Sequence, residues 1–357
     1  MGSESIVYMS PKRSPHNKYS ELLSESLERL GQRVEHYDRG AMRKPRRGDI
    51  VHFHWPSNSY TASSFPLTAV KSGFFLLLLL AYKLRGVRLY WTIHNVWPHA
   101  GKTRWDVFMR KRLLGLCDAA FALSESVRRE AAAAFGANPD KIAVTPHGHY
   151  AGAYPAAGAD IRERFGIPKD RFLFLFVGRI NPYKGVEKLT EAYRAIDSGR
   201  CALLIAGQPD EGYGLGFLNA GDIKLYPDFV ADEELADYLR AADAVVLPYR
   251  QISTSGSAIL ALSYMKPVIA PRLGALGEYV ADGCGVLYDP DDPDGLRQAL
   301  LGAMELDPAR TEAAIGRKLM ELDWDRIAGR MIRVYARRTL QEANGGNEAN
   351  ETNEVNA

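Results

Sequence analysis

Residues 172–189, FLFLFVGRINPYKGVEKL, leave this chain little choice of fold. Phe172 to Val177 is an unbroken apolar run of strand length, the pattern of a strand buried on both faces. It stops at Gly178 and Arg179. A polar loop follows from Ile180 to Gly185, with Lys184 near its end, and Val186, Leu189, Ala192 and Tyr193 then recur at helical spacing. Buried strand, loop and helix form the repeating unit of a parallel α/β sheet. On such a sheet ligands bind beyond the carboxyl ends of the strands, where helix N-termini present N–H groups to anions. Arg179 can grip oxygens bidentately and Lys184 adds a point charge, a set suited to a diphosphate. The plainer alternative is two solvated charges on a loop.

A second stretch points the same way. Ala244 to Pro248 is another short apolar strand, followed by Tyr249, Arg250, Gln251, Ile252, Ser253, Thr254, Ser255, Gly256 and Ser257. A helical pattern opens at Ala258, and Pro267 to Ala270 begins the next strand. Small hydroxyl residues and glycine entering a helix let a ligand approach the backbone. An ordinary N-cap would use the same residues.

The 357 residues suffice for two domains with cores of their own. The net charge is only +2, which does not suggest a nucleic-acid partner, but residues 1–150 hold 22 Lys and Arg against 12 Asp and Glu, a balance of +10. Such a half suits an anionic surface, a phospholipid or a lipid diphosphate, with the clusters Arg43, Lys44, Arg46, Arg47 and Arg110, Lys111, Arg112 as contacts. Cys117, Cys201 and Cys284 are far apart and form no CxxC pair, consistent with a reducing compartment. The N-terminus runs directly into Ile6 to Met9, so a chain without a leader is expected. The longest apolar run, Phe74 to Ala81, is shorter than a membrane span needs and reads as a buried helix, with partial insertion in a membrane interface as the alternative.

Strand and helix alternate through the first half as well. Strands are expected at Ile6–Met9, Val34–Tyr37, Asp49–His54, Arg88–His94, Ala119–Leu123 and Ile142–Thr145. All eight histidines fall between residues 16 and 149, most just after a strand. His52 and His54 share one strand face. A metal cluster would need a third ligand at a defined spacing, which is absent, so polar ligand-facing residues are the expectation. Asp289, Asp291, Asp292 and Asp294 read as a turn and a helix start.

GRINPYKGVEKL resembles the donor-phosphate loop of the GT-B glycosyltransferases, particularly glycosyltransferase family 4. FVADEELADYLRAADAVVLPYR, TSGSAILALSYMKPVIA and GALGEYVADGCGVLYDPDDPDGL resemble the next blocks of that family, in order, within a match over about residues 5 to 340. The resemblance implies two Rossmann-like, doubly wound α/β domains facing across a cleft. Residues 1–150 would form an acceptor domain, 151–168 a linker and 169–322 a nucleotide-sugar domain. Residues 323–341 would form a helix crossing back to the first domain, ahead of a disordered tail at 342–357. It assigns donor binding to Gly178, Arg179, Lys184, Thr254, Ser255, Gly256, Ser257 and Glu278. It puts His94, in TIHN, on the family's histidine-bearing loop, and His16 and Asn17 on the loop approaching the acceptor. His94 and His16 are then the catalytic candidates, with Asn17, His54, Trp55 and Asn95 on the acceptor side. No metal or other cofactor is implied.

One departure matters. Retaining members of family 4 usually carry Glu-x7-Glu ahead of the PVIA strand, and this chain has Ile252 and Leu260 at those positions. The resemblance extends to inverting β-mannosyltransferases that use GDP-mannose. The implied enzyme moves a mannose- or glucose-type hexose from a GDP- or UDP-sugar to a lipid-linked saccharide in exopolysaccharide or cell-envelope synthesis, working in the cytoplasm on the inner membrane face. A retaining transferase using a UDP-sugar, an epimerase or phosphorylase of the same fold, and a nucleotide-sugar-binding protein without activity share these residues.

Overall fold

The computed structural model describes residues 5–14, 17–97, 102–196, 199–218, 223–252 and 254–337. They divide into two compact units: unit 1 takes the chain to 148 and again from 323, and unit 2 takes 149–322.

Unit 1 is built on β1 (Ile6–Ser10), β2 (Arg33–His36), β3 (Ile50–Phe53), β4 (Arg88–Ile93), β5 (Ala119–Ala122) and β6 (Ile142–Val144). All are parallel, in the order β2-β1-β3-β4-β5-β6. Every residue of β3 and β4 is buried, because alternate side chains meet cover on both faces. Leu89, Trp91 and Ile93 pack with Phe75, Leu79 and Leu113 from the helices Phe65–Leu84 and Arg104–Leu116. Tyr90 faces the other way, among Tyr19, Leu23 and Leu27 of the helix Tyr19–Arg29. That second layer is completed from the far end of the chain: residues 324–337 are helical and contribute Trp324, Ile327, Ala328, Met331 and Tyr335.

Unit 2 repeats the plan with β7 (Phe172–Val177), β8 (Cys201–Ala206), β9 (Ile223–Tyr226), β10 (Ala244–Val246), β11 (Val268–Pro271) and β12 (Gly285–Tyr288). They are parallel, in the order β12-β11-β10-β7-β8-β9. Both sheets are doubly wound: strand order reverses between β1 and β3 in unit 1 and between β7 and β10 in unit 2, and ligands bind such sheets at the switch point.

Two expectations need correction. Residues 151–168 are not a bare linker: they belong to unit 2 and carry the short helix Ile161–Arg164, whose Ile161 is buried in the unit 2 core together with Ile167. The Phe74–Ala81 run is not a buried helix either. It lies within the 20-residue helix Phe65–Leu84, long and apolar enough to cross a membrane, and only 22 % of its most apolar window is buried. Asp289 to Asp294 do form the turn ahead of the helix Gly295–Met304. The expected tail at 342–357 lies outside the described residues.

Candidate active site

In unit 2 the loops after β7 and β10 leave the carboxyl edge of neighbouring strands at the switch point. They are joined directly. The amide of Arg250 donates to the carbonyl of Tyr183 at 2.8 Å. Gly185 caps the helix Val186–Arg194 at φ +68, and a Cβ there would lie 2.1 Å from the carbonyl oxygen of Pro248. Only glycine satisfies both conditions. The Lys184 ammonium sits 3.8 Å from the centroid of the Tyr249 ring and 5.3 Å from that of Tyr183. Burial opposes its charge, but Tyr249 and Tyr183 more than offset this and leave its pKa above the usual lysine value. Lys184 is therefore a held, permanently charged point beside two loops.

The other residues singled out on this side lie on the same sheet edge. Gly178 ends β7 at φ +136, with its carbonyl pressed against Gly207. Arg179 is exposed and ion-paired with Asp210 from the loop after β8, so a phosphate there competes with a carboxylate. Ser255 caps the helix Gly256–Ser263 by accepting from the Ala258 amide at 3.2 Å. Thr254, Gly256 and Ser257 flank that cap. Glu278 is half-buried in the helix Leu276–Tyr279, which follows β11. Ile252 and Leu260 pack against the unit 2 core as aliphatic side chains.

In unit 1 a pocket of about 210 Å³ brings four sequence-derived candidates together: His54, Trp55, His94 and Asn95. Its wall also includes Ser57, Trp97 and Arg110. His54 follows β3 and His94 follows β4, so neighbouring parallel strands deliver them side by side. Trp55 stacks on the His94 ring, centroids 4.3 Å apart at 18°. Tyr19 sets its ring edge-on to His54, His94 and His147 at 5.5, 4.6 and 4.8 Å. Asn17 does not line the pocket; its side chain accepts from the Tyr19 amide at 2.9 Å and fixes the start of that helix. His16 lies outside the described residues.

The hydrogen bonds assign a tautomer. His54 Nε2 lies 2.8 Å from Met9 Sδ, and a thioether sulfur can only accept. His54 therefore carries its proton on Nε2 and accepts at Nδ1, where His94 Nε2 lies at 3.1 Å. His94 must then donate from Nε2, which puts its lone pair on Nδ1. Burial pushes His54 down to about 3 and His147 to about 4; His94 is also held well below the usual range, by burial first and then by His54, His147 and His52. All stay neutral at pH 7. A neutral imidazole with its lone pair on a known nitrogen can accept a proton from a hydroxyl or orient one.

Sequence reasoning missed several participants. Arg110, grouped there with a surface cluster, is buried and donates to the carbonyls of Asn95 at 2.7 Å and Val96 at 3.0 Å, holding the His94 loop from beneath. Its place three and four residues before the apolar Leu113 and Leu114, on one helix face with them, was the available signal. Tyr249 and Tyr183 left no sign of their pairing with Lys184. Asn181 is buried beside the Lys184 loop, and its Oδ1 has no hydrogen-bond partner among the described residues. No group of three His, Cys, Asp or Glu that could hold a metal ion occurs among the described residues.

Residues 171–305 match the family described as Glycosyl transferases group 1, and residues 26–150 match Glycosyltransferase Family 4. The GDP-mannose:glycolipid 4-beta-D-mannosyltransferase of Xanthomonas campestris pv. campestris is 28 % identical over 299 residues, covering 81 % of this chain and 80 % of that protein. The D-inositol 3-phosphate glycosyltransferase of Kineococcus radiotolerans is 30 % identical over 266 residues, 66 % of this chain and 60 % of that one. Among solved structures, sucrose-phosphate synthase from Thermosynechococcus elongatus superposes with a TM-score of 0.67 at 19 % identity, covering 95 % of this chain and 100 % of that one. Two doubly wound units with ligand-ready switch points are the architecture of the GT-B enzymes. The chain is a glycosyltransferase of that fold, of the family 4 type.

Proposed function

We propose that the chain transfers a hexose, mannose in the first instance, from a nucleoside-diphosphate sugar to a saccharide carried on a lipid, with inversion at the anomeric carbon. The joined loops of the unit 2 switch point carry the donor side of this reading, with Lys184 fixed against Tyr249 as the diphosphate contact. The name of the Xanthomonas relative supports GDP-mannose and a glycolipid as donor and acceptor classes. Inversion rests on Ile252 and Leu260: neither can accept a hydrogen bond from a donor sugar, and both are partly buried against the unit 2 core.

In the proposed reaction an acceptor hydroxyl oxygen bonds to the anomeric carbon. The bond from that carbon to the diphosphate oxygen breaks, and its electron pair leaves with the nucleoside diphosphate. Lys184, Arg179 and the N–H groups at Ser255–Ser257 stabilise the charge that develops there, with no divalent metal required. His94, which lines the pocket, is the residue placed to take the hydroxyl proton. The acceptor lies in the pocket of Trp55, Asn95 and His54. The enzyme works at the cytoplasmic face of the membrane, in exopolysaccharide or cell-envelope assembly.

A thermal-shift panel of nucleotide sugars identifies the donor, because a ligand of the native state raises the unfolding temperature by mass action. The anomeric coupling constant of the new linkage then decides stereochemistry. An α-linked donor gives a β-linked product. A product keeping the donor configuration overturns inversion and favours the retaining reading, with Glu278 as the donor-sugar carboxylate.

A further inference from the structure

We infer that one face of the helix Phe65–Leu84 is a membrane-insertion surface that docks unit 1 on an anionic lipid bilayer. The inference names the surface behind the membrane association proposed above and takes from that reading only the expectation of a lipid-borne acceptor. The helix is amphipathic in the wrong sense for water. Its buried side carries Thr68, Ser72 and Tyr82 alongside Phe75 and Leu79. Its outward side carries Leu67, Val70, Phe74, Leu77, Leu80 and Leu84, at the three- and four-residue spacing of one helical stripe. Val70, Leu77 and Leu84 are 73 %, 67 % and 90 % exposed.

Hydrogen bonds fix which side faces in. Ser72 Oγ donates to the Tyr60 carbonyl at 3.1 Å and accepts from Trp105 Nε1 at 3.0 Å. Tyr82 donates to the Met42 carbonyl at 2.6 Å. Lys71 donates to the carbonyls of Asn58 and Thr61, and Lys83 pairs with buried Asp118 at 2.7 Å. Crossing a bilayer would strip these contacts and bury both lysines. Lying in the interface keeps all of them and buries only the exposed stripe.

Charge selects the occupant. No Asp or Glu occurs between Asp49 and Asp106, and both of those are buried: Asp49 accepts from the amides of Ile6 and Arg46, and Asp106 closes a capping box with Thr103. Exposed cations flank the stripe on both sides. At the helix C-terminus Arg85 Nη2 donates to the Arg43 carbonyl at 3.4 Å, and the Arg47 side chain lies against Gly86. At the other side Phe65 meets Trp105 at 5.4 Å, Trp105 meets Phe108, and the Arg112 guanidinium lies 5.3 Å from the Phe108 ring. An apolar stripe bordered by cations, on a segment without a carboxylate, matches acyl chains beneath anionic headgroups.

The test is co-sedimentation of the full chain with vesicles of phosphatidylcholine alone or with phosphatidylglycerol, without any sugar nucleotide. Wild type should bind the anionic vesicles, and less so as salt rises. V70Q/L77Q, which changes no charge, should partition roughly tenfold more weakly or worse. R43Q/R47Q should weaken binding to anionic vesicles and leave the small neutral component unchanged. Both pairs are exposed, so unfolding temperatures should match wild type. Undiminished binding by V70Q/L77Q overturns insertion, and equal binding to neutral and anionic vesicles overturns the charge argument. A lipid-free dimer abolished by V70Q/L77Q, together with no vesicle binding, assigns the stripe to a second copy instead. Because nothing is transferred in this assay, failure of the transferase reading would not produce any of these results.

Discussion

Lys184 and Arg179 are two cations in one loop with the same appeal to a diphosphate, yet the structure treats them differently. Lys184 is held by Tyr249 and Tyr183, whereas Arg179 is exposed and occupied by Asp210. Lys184→Ala should therefore weaken nucleoside-diphosphate binding by about 1.5–3 kcal/mol, the range for a charged hydrogen bond, and Arg179→Ala by less. Titration calorimetry with GDP and UDP checks the order; equal losses, or none, contradict it. The histidines lead to a statement about pH. His54 at about 3 and His147 at about 4 bind no proton in the folded state where unfolded histidines, near 6.5, do. The unfolded state then binds more protons, so stability is full above pH 6.5 and falls as pH drops toward these folded values. The slope is about 1.4 kcal/mol per pH unit for each such histidine. The urea midpoint of unit 1 should hold from pH 8 to 7 and drop between 6.5 and 5, where most carboxylates are still ionised. A flat midpoint across that window would mean that these histidines are not held neutral. Their positions after strands were legible in the sequence. Their tautomers were not, because these depend on Met9 from another strand.

At the scale of elements, β7 and its helix could be read directly, since a six-residue apolar run buried on both faces has few other fates. The contact between its loop and the loop after β10 could not, because it joins Gly185 to Pro248 across the switch point. Gly185→Ala tests that contact. The new Cβ meets both a positive φ and a backbone oxygen at 2.1 Å, a combination costing roughly 1–3 kcal/mol or more. It should lower the unfolding temperature and abolish the GDP-induced shift even though the change removes no ligand-binding side chain. Gly212→Ala, at φ +75 with open space around it, is the control and should cost less. The helix Phe65–Leu84 was misjudged for a related reason. Hydropathy reports how apolar a segment is, but the buried side was chosen by hydrogen bonds from Ser72 and Tyr82 to residues 12 and 40 positions away.

For the whole molecule, strand–helix alternation was enough to give parallel α/β sheets covered by helices, and motif order gave the family and, through it, the two doubly wound units. The return of the chain to unit 1 came from the resemblance; Trp324 packing on Tyr19 at 5.2 Å and Tyr335 bonding His52 at 2.7 Å show how that return completes the layer beneath the histidines. What ties the architecture to a function is transfer itself. The direct measurement is the passage of labelled hexose from a nucleotide sugar into a lipid-extractable saccharide, using purified protein, membrane lipid extract and EDTA in the buffer. Wild type should move label from GDP-mannose into the lipid phase with EDTA present. Lys184→Ala should lose that transfer through weakened donor binding, and His94→Ala should lose turnover while still binding GDP. Donor binding without transfer to any lipid extract, or transfer unaffected by both substitutions, would contradict the assignment of these two sites to a glycosyltransferase reaction.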